Sequence, residues 1–428
     1  MAYLLKRRWV AEQTSGIPRA ERRSCEYEAY VPDALSARTF FLDGDVAADV
    51  AEAEAAIARL DARSSALADT EALARILLRA ESVASSRIEG LEVGPRRLLR
   101  AEAARAIGED AADVTAEEVL GNIEAMRTAF ELSESGEPLR MDHLLAVHRE
   151  LLGGTRLERH AGRLREVQNW IGGNVYNPCA AAFVPPPPEH VPELLEDLCA
   201  FCDSDALPAV AQAAVAHAQF ETIHPFVDGN GRVGRALIYV VLRRRGLITR
   251  VLPPVSLVLA TRADEYIAGL EAFRYVGDPS CGEAHEGLNR WVGTFASACL
   301  RAVQDVLAFE ERCREIEDAW RARLGKVRAG SSVDFLVRLL PGTPIITVNS
   351  AAEMIGRSKP QVNAAVARLA EAGVLSQVTV GKRNRAFEAP DVISAFTDLE
   401  RRLASSAGDT RAALPVRPVP ARRQEPSD

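Results

Sequence analysis

The sequence predicts a mainly α protein, a helical bundle carrying a small β-hairpin flap and followed by a winged-helix (helix-turn-helix) domain. Three observations support this. Apolar residues recur three and four apart over most of the chain up to residue 325. Glycine and proline break that period between residues 160 and 190. After Lys326 a shorter pattern of helix, helix, helix and hairpin takes over. With 428 residues, 47% hydrophobic and 26% charged, the chain exceeds one ordinary domain and can bury a large core.

Residues 1–45 read as an irregular arm with room for short strands, since Gly16, Pro18, Pro32 and Gly44 interrupt any long period. From Val46 to Leu152 the segments VAADVAEAEAAIARLDA, TEALARILLRAESVASSRIEG, TAEEVLGNIEAMRTAFEL and RMDHLLAVHRELLGG are helical, with Thr115 and Glu118 spaced as a capping box. Gly173 to Pro188, GNVYNPCAAAFVPPPP, is punctuated so as to permit a β-hairpin whose free edge can take up an extended segment as an added strand. Helices return in VPELLEDLCAFCDS, PAVAQAAVAHAQFETI and GRALIYVVLRRRG, and a long one spans Glu286 to Leu324, so the bundle occupies 46–325. The winged-helix pattern occupies 326–404, with Ser358 as helix N-cap, Pro360 in the first turn and Gly373 as C-cap. Residues 405–428, rich in Ala, Pro and Arg, show no period and read as a disordered tail.

Composition excludes several classes. A net charge of −8 denies the chain a broad positive field for nucleic acid. The seven cysteines, at 25, 179, 199, 202, 281, 299 and 313, show no scaffold spacing and read as reduced thiols, with Cys199 and Cys202 two buried helix residues rather than a metal pair. MAYLLKRRWV is the reverse of a secretory signal and no apolar run suits a membrane span, which gives a cytoplasmic protein without a membrane partner.

The chemistry concentrates in His224 to Arg235, HPFVDGNGRVGR, a loop feeding a helix. Gly229 and Gly231 let backbone N–H groups approach a ligand, and the helix beginning near Arg232 adds unpaired amides and the positive end of its dipole, which together cradle an anion. Arg232 and Arg235, three apart, can both fork onto phosphate oxygens. Asp228 offers the hard oxygen that Mg²⁺ takes when a nucleotide supplies the rest of its shell. His224 has a suitable pKa for accepting a hydroxyl proton. The set fits phosphoryl or nucleotidyl transfer.

The stretch resembles the Fic family, whose pattern HPFx[D/E]GNGRxxR it matches at every fixed position. The likeness extends to GRLREVQNWIGG and FVPPPPEHVPELLEDL and covers roughly Leu60 to Leu300. It implies a Fic-type bundle and transfer of AMP from ATP to a protein hydroxyl. His224 would be the base, Phe226 would pack beneath the loop, and Asp228 would hold Mg²⁺. Gly229, Asn230 and Gly231 would bind phosphates, with Arg232 and Arg235 holding the β and γ groups. Ser85 to Gly90, SSRIEG, is similar to the family's inhibitory pattern [S/T]xxxE[G/N], filled by Ser85, Glu89 and Gly90 on a helix at about 80–90. Glu89 would then pair with Arg235 and hinder ATP. The flap would position the target side chain.

Residues 326–428 carry 15 Lys+Arg against 10 Asp+Glu, so the basic balance is concentrated there. In the winged-helix reading Lys359, Gln361, Asn363 and Arg368 reach from the recognition helix while Lys382, Arg383 and Arg385 sit on the wing. DNA contact and protein docking both remain open. So do self-modification, a homodimer, AMP removal, another phosphate donor and a DNA-binding regulator that uses the bundle as a nucleotide sensor. The expected partner is a protein presenting a Ser, Thr or Tyr hydroxyl.

Overall fold

The structure, a computed structural model, describes residues 1–11, 18, 21–65, 70–106, 108, 113–133, 138–380 and 384–403. Strands β1 (Tyr3–Trp9) and β2 (Cys25–Val31) pair antiparallel, with Tyr3 opposite Val31 and Trp9 opposite Cys25. The helices that follow are α1 (Gly44–Ser65), α2 (Thr70–Ile88), α3 (Pro95–Ala106), α4 (Val114–Leu132) and α5 (Met141–Leu152). After the 160–190 segment come α6 (Val191–Asp203), α7 (Ala209–Ile223), α8 (Asn230–Arg244), α9 (Val255–Thr261), α10 (Ala263–Phe273) and α11 (Gly282–Leu324). The last unit contains α12 (Ser332–Leu339), β3 (Ile345–Ile346), α13 (Val348–Ile355), α14 (Lys359–Glu371), β4 (Ser376–Val380), β5 (Asn384–Glu388) and α15 (Pro390–Leu403), its sheet ordered β3-β5-β4. The chain is therefore mainly helical with small sheets.

The centre is α7. All fifteen of its residues are buried, because AVAQAAVAHAQFETI alternates small side chains that let neighbours approach from every side. Helix α8 follows it through a tight loop and is buried from Asn230 to Leu242, so the HPFVDGNGR loop is clamped between two core helices. Trp291 of α11 is fully buried and donates to the Ala214 carbonyl at 2.7 Å, locking α11 onto α7. By length and composition α11 could cross a membrane, and half of its most apolar window is buried inside the protein. At its far end Trp320 is also fully buried and donates to Asp391 of α15 at 2.8 Å.

Several expectations need correction. Segment 173–188 is not a β-hairpin: it holds a 3₁₀ turn at Pro178–Ala180 and a single bridge between Ile171 and Phe183. Pro178 and the run Pro185 to Pro188 have no N–H to give a ladder, so pairing cannot extend. Its edge is also partly taken, since Tyr30 of β2 donates to the Val184 carbonyl at 2.9 Å. The paired strands β1 and β2 of the arm lie close to this region, with Trp9 edge-on to Trp170 and Asn174 bonded to Glu21.

The cysteines are not all thiols, because Cys25 and Cys179 form a disulfide across 154 residues of sequence, a pairing that spacing could not reveal. Cys199 and Cys202 are free and buried, as the helical pattern requires. Helix α4 is capped by Asp113, whose side chain accepts from Ala116 N, so Thr115 lies inside the helix and the Thr115–Glu118 box does not form. Helices α3, α9 and α10 carry no clear period in the sequence, and α11 begins four residues before Glu286 with Cys281 as its cap. In the C-terminal unit Ser358 caps α14 and Gly373 adopts φ +67° after it, both as the sequence suggests. Lys382, Arg383 and 405–428 lie outside the described residues.

Thiol titration of the denatured protein without reductant should count five reactive cysteines, since two of the seven are bonded to each other. A count of seven would contradict the link.

Candidate functional site

Helix α7 ends at His224, which adopts φ 50° and ψ 59° and is the only non-glycine residue with positive φ among the described residues. The left-handed turn costs a β-carbon residue on the order of 1 kcal/mol and must be held by its surroundings. Arg165 does most of this. Its guanidinium donates to the carbonyls of His224 (2.8 Å), Val167 (3.2 Å), Ile223 (3.3 Å) and Pro186, and its own N–H reaches Pro225 O at 2.9 Å. Asn169 adds bonds to the carbonyls of His224 (3.3 Å) and Phe226 (3.1 Å).

Beneath the loop, Phe226 is fully buried and stacks on His148 with ring centres 3.7 Å apart. His148 Nε2 meets the Asp228 carbonyl at 3.1 Å while its Nδ1 accepts from Gly162 N. Desolvation pushes His148 down to about 4, so it is a neutral ring at physiological pH. Asn230 is buried and its amide clasps the Phe226 backbone at 2.8 and 2.9 Å. The Asn230 side chain is thus spent on holding the loop. Gly229 opens α8 at φ 82°, a conformation that favours glycine, and a Cβ there would strike Leu151.

Around this loop the charged groups converge. Arg232 is 7% exposed and holds Asp228 at 2.7 Å, while the Asp228 carboxylate keeps 44% exposure. Arg235, 1% exposed, lies deeper: Nε donates to Ser85 Oγ (2.8 Å), and Nη2 to the Ser85 carbonyl (2.7 Å) and to Glu89 Oε1 (2.8 Å). A Cβ on Gly231 would collide with the Glu89 carboxylate, which therefore sits directly over the first turn of α8. Gly90, at φ 83°, ends α2 just beyond Glu89, and Leu91 N returns to Ser86 O at 3.0 Å. Glu89, Asp228, Gly231, Arg232 and His224 line one open cavity of about 320 Å³ together with Glu118 of α4.

Electrostatics follow from burial. Desolvation, then the nearby Arg165 cation, pushes His224 down to about 4, so its imidazole is a neutral acceptor near pH 7. Burial works to raise Glu89, but the Arg235 guanidinium wins and holds its carboxyl below the usual range. Two carboxyls behind Arg235, Glu81 and Glu221, are pushed up to about 7 by burial. Glu81 is held by Ser256 N at 2.8 Å and by the Ser256 hydroxyl, which fastens α2 to α9. Sequence reasoning missed Arg165, His148, Asn169, Glu81 and Glu221. The one available signal was the pair Arg163 and Arg165 in GRLREVQNWIGG.

Of the C-terminal residues singled out from sequence, Lys359 and Arg385 are exposed. Gln361 accepts from Ser358 N at 3.2 Å as part of the α14 cap, and Arg368 donates to the carbonyls of Leu324 and Lys326, so both are engaged within the protein.

Residues 138–242 match the model of the Fic/DOC family and residues 47–131 that of the Fic/DOC family N-terminal region. The chain is 33% identical over 154 residues to protein adenylyltransferase fic-1 of Caenorhabditis elegans, a match covering 35% of this chain and 27% of the relative. It is 29% identical over 214 residues to protein adenylyltransferase Fic of Nematostella vectensis, covering 47% of this chain and 44% of the relative. The chain thus spans less than half the length of these relatives. Among solved structures, a Fic family protein from Desulfovibrio desulfuricans G20 superposes with a TM-score of 0.50 at 21% identity, over 82% of this chain and 98% of that one, a likeness of fold.

Replacing Arg165 by Met removes a cation that disfavours the imidazolium, so the His224 titration should move upward from about 4 toward the ordinary histidine value. NMR titration of the His224 ring in both proteins checks this. An unmoved or lowered midpoint would contradict the role of Arg165.

Proposed function

We propose that this chain, in which residues 138–242 are a Fic/DOC domain and residues 47–131 the N-terminal region of that family, transfers AMP from ATP to a protein hydroxyl and is restrained by Glu89. The observation that carries the reading is the meeting of a neutral His224, an exposed Asp228 carboxylate and two buried arginines at the N-terminus of one helix. The names of the relatives, protein adenylyltransferases, support the same reaction.

His224 accepts the proton of a Ser, Thr or Tyr hydroxyl as its oxygen bonds to the α-phosphorus of ATP. The bond from that phosphorus to the bridging oxygen breaks and pyrophosphate departs with the electron pair. Backbone amides of Gly229 to Arg232 and the Arg232 guanidinium hold phosphate oxygens during this displacement. Asp228, whose carboxylate keeps 44% exposure, would hold Mg²⁺, which when bound would neutralise phosphate charge. Glu89 lies where the terminal phosphate would meet Arg235, so ATP must either displace it or bind askew.

In the C-terminal unit, the order helix, strand, helix, helix, strand, strand with sheet β3-β5-β4 supports a winged-helix reading with α14 as recognition helix. Lys359 and Arg385 fit phosphate contacts to duplex DNA, whereas Gln361 is occupied by its cap. Binding should be weak and steeply salt-dependent.

Intact-mass measurement after incubation with ATP and Mg²⁺ tests the transfer. AMP should add to the chain or to a supplied protein, and His224→Ala should lower the rate by about a hundredfold or more at an unchanged melting temperature. Equal addition by this variant would remove His224 from the role of base. Asp228→Ala should lose most activity, and transfer that persists in excess chelator would contradict the metal assignment.

A further inference from the structure

Helix α2 touches two distant parts of the protein. Its C-terminal end presents Ser85 and Glu89 to Arg235. Near its other end it meets the turn after α12, in the C-terminal unit. Gly342 of that turn is so close that a Cβ would lie 2.4 Å from Ala72 Cα and 2.7 Å from Ala72 O. Arg75 donates to Thr343 Oγ1 and Arg79 to the Gly342 carbonyl, both at 3.4 Å. Ala72, Arg75 and Arg79 are spaced three and four apart and share one helix face. From Ala72 to Glu89 the rod runs roughly 25 Å at 1.5 Å per residue.

Further contacts tie the unit to the same helix. Arg79, 4% exposed, is paired in bidentate fashion with Glu102 of α3 at 2.8 to 3.1 Å. Helix α3 in turn packs Leu99, Ala103 and Ala104 against Ile345, Ala386 and Ile393, and its Arg96 and Arg100 hold buried Glu388 of β5 at 2.9 and 3.4 Å. Helix α15 lies on α9, and α9 grips Glu81 of α2 through Ser256. A helix packed this closely moves as a body, because a well-filled interface does not deform continuously.

We propose that the C-terminal unit, residues 332–403, governs the Glu89–Arg235 pair by fixing the position of α2, so that a displacement of this unit loosens Glu89 from Arg235. The consequence for transfer rests on the reading of Glu89 as a restraint. The coupling itself is independent of that reading. A ligand bound on the exposed face of α14 would then act on the nucleotide site without touching it.

Gly342→Ala in the full chain tests this, since a methyl group there must push against the α2 backbone. Hydrogen exchange at the amides of residues 85–91 should quicken by about two- to thirtyfold, and AMP incorporation should rise by a similar factor. Adding Gly342→Ala to Glu89→Gly should give no further gain in incorporation. Should Gly342→Ala fail to fold, Arg79→Met, which keeps the apolar stem but drops the bonds to Gly342 and to Glu102 of α3, is expected to change exchange at 85–91 in the same direction. Faster exchange confined to residues 70–79, with 85–91 unchanged, would overturn the proposal. If Glu89→Gly itself transfers no AMP, the transfer reading fails, while exchange at 85–91 still decides the coupling.

Discussion

The structure depends on how one buried cation is answered. Arg235 is a permanently charged guanidinium with 1% exposure, and a charge in that position is tolerated only when oxygen acceptors surround it. Ser85 supplies a hydroxyl and a carbonyl, and Glu89 supplies the opposite charge, all from a single helix. Helix α2 is in turn held by Glu81 on Ser256, by Asn122 on the Ser82 carbonyl and Ser86 hydroxyl, and by the C-terminal turn at Ala72. Satisfying Arg235 therefore organises the N-terminal helices around the loop that opens α8. The same contacts seat the Glu89 carboxylate over the first turn of α8.

The other half of the site is backbone geometry. His224 lines the cavity from a left-handed turn, and a second buried arginine, which binds carbonyls instead of carboxylates, holds that turn. Burial pushes Arg165 down to about 10, which leaves it charged near pH 7. Its charge helps keep His224 neutral, so one side chain both holds the His224 backbone and favours the neutral ring. His148 and Asn230 do comparable work for Phe226 and Asp228 through uncharged hydrogen bonds.

Much of this was legible in the residues. The periodicity of α2, α4, α7, α8 and α11 shows in the chain because each buries a continuous apolar face or, for α7, every face. The cradle at Gly229 to Arg235 reads from local spacing alone. What stayed hidden was set by contacts far apart in sequence: the Cys25–Cys179 bond, Arg165 beneath His224, and Tyr30 on Val184. Helix α9 is only seven residues long and follows Pro253 and Pro254, too short for a period to emerge. Proline punctuation in 173–188 signals a turn without saying whether strands flank it, and here only one bridge does. Asp113 displaced the Thr115 box because a carboxylate two residues upstream reaches the same free amides, and it also binds Arg97.

The most direct test of the account is calorimetric binding of ATP to the wild type, Glu89→Gly, Arg235→Ala and the double variant, arranged as a thermodynamic cycle. If Glu89 competes with phosphate for Arg235, removing Glu89 strengthens ATP binding by about ten- to a hundredfold while Arg235 is present. The gain disappears when Arg235 is absent. The same gain in both backgrounds, or none in either, would contradict the central claim that the Glu89–Arg235 pair closes the nucleotide site.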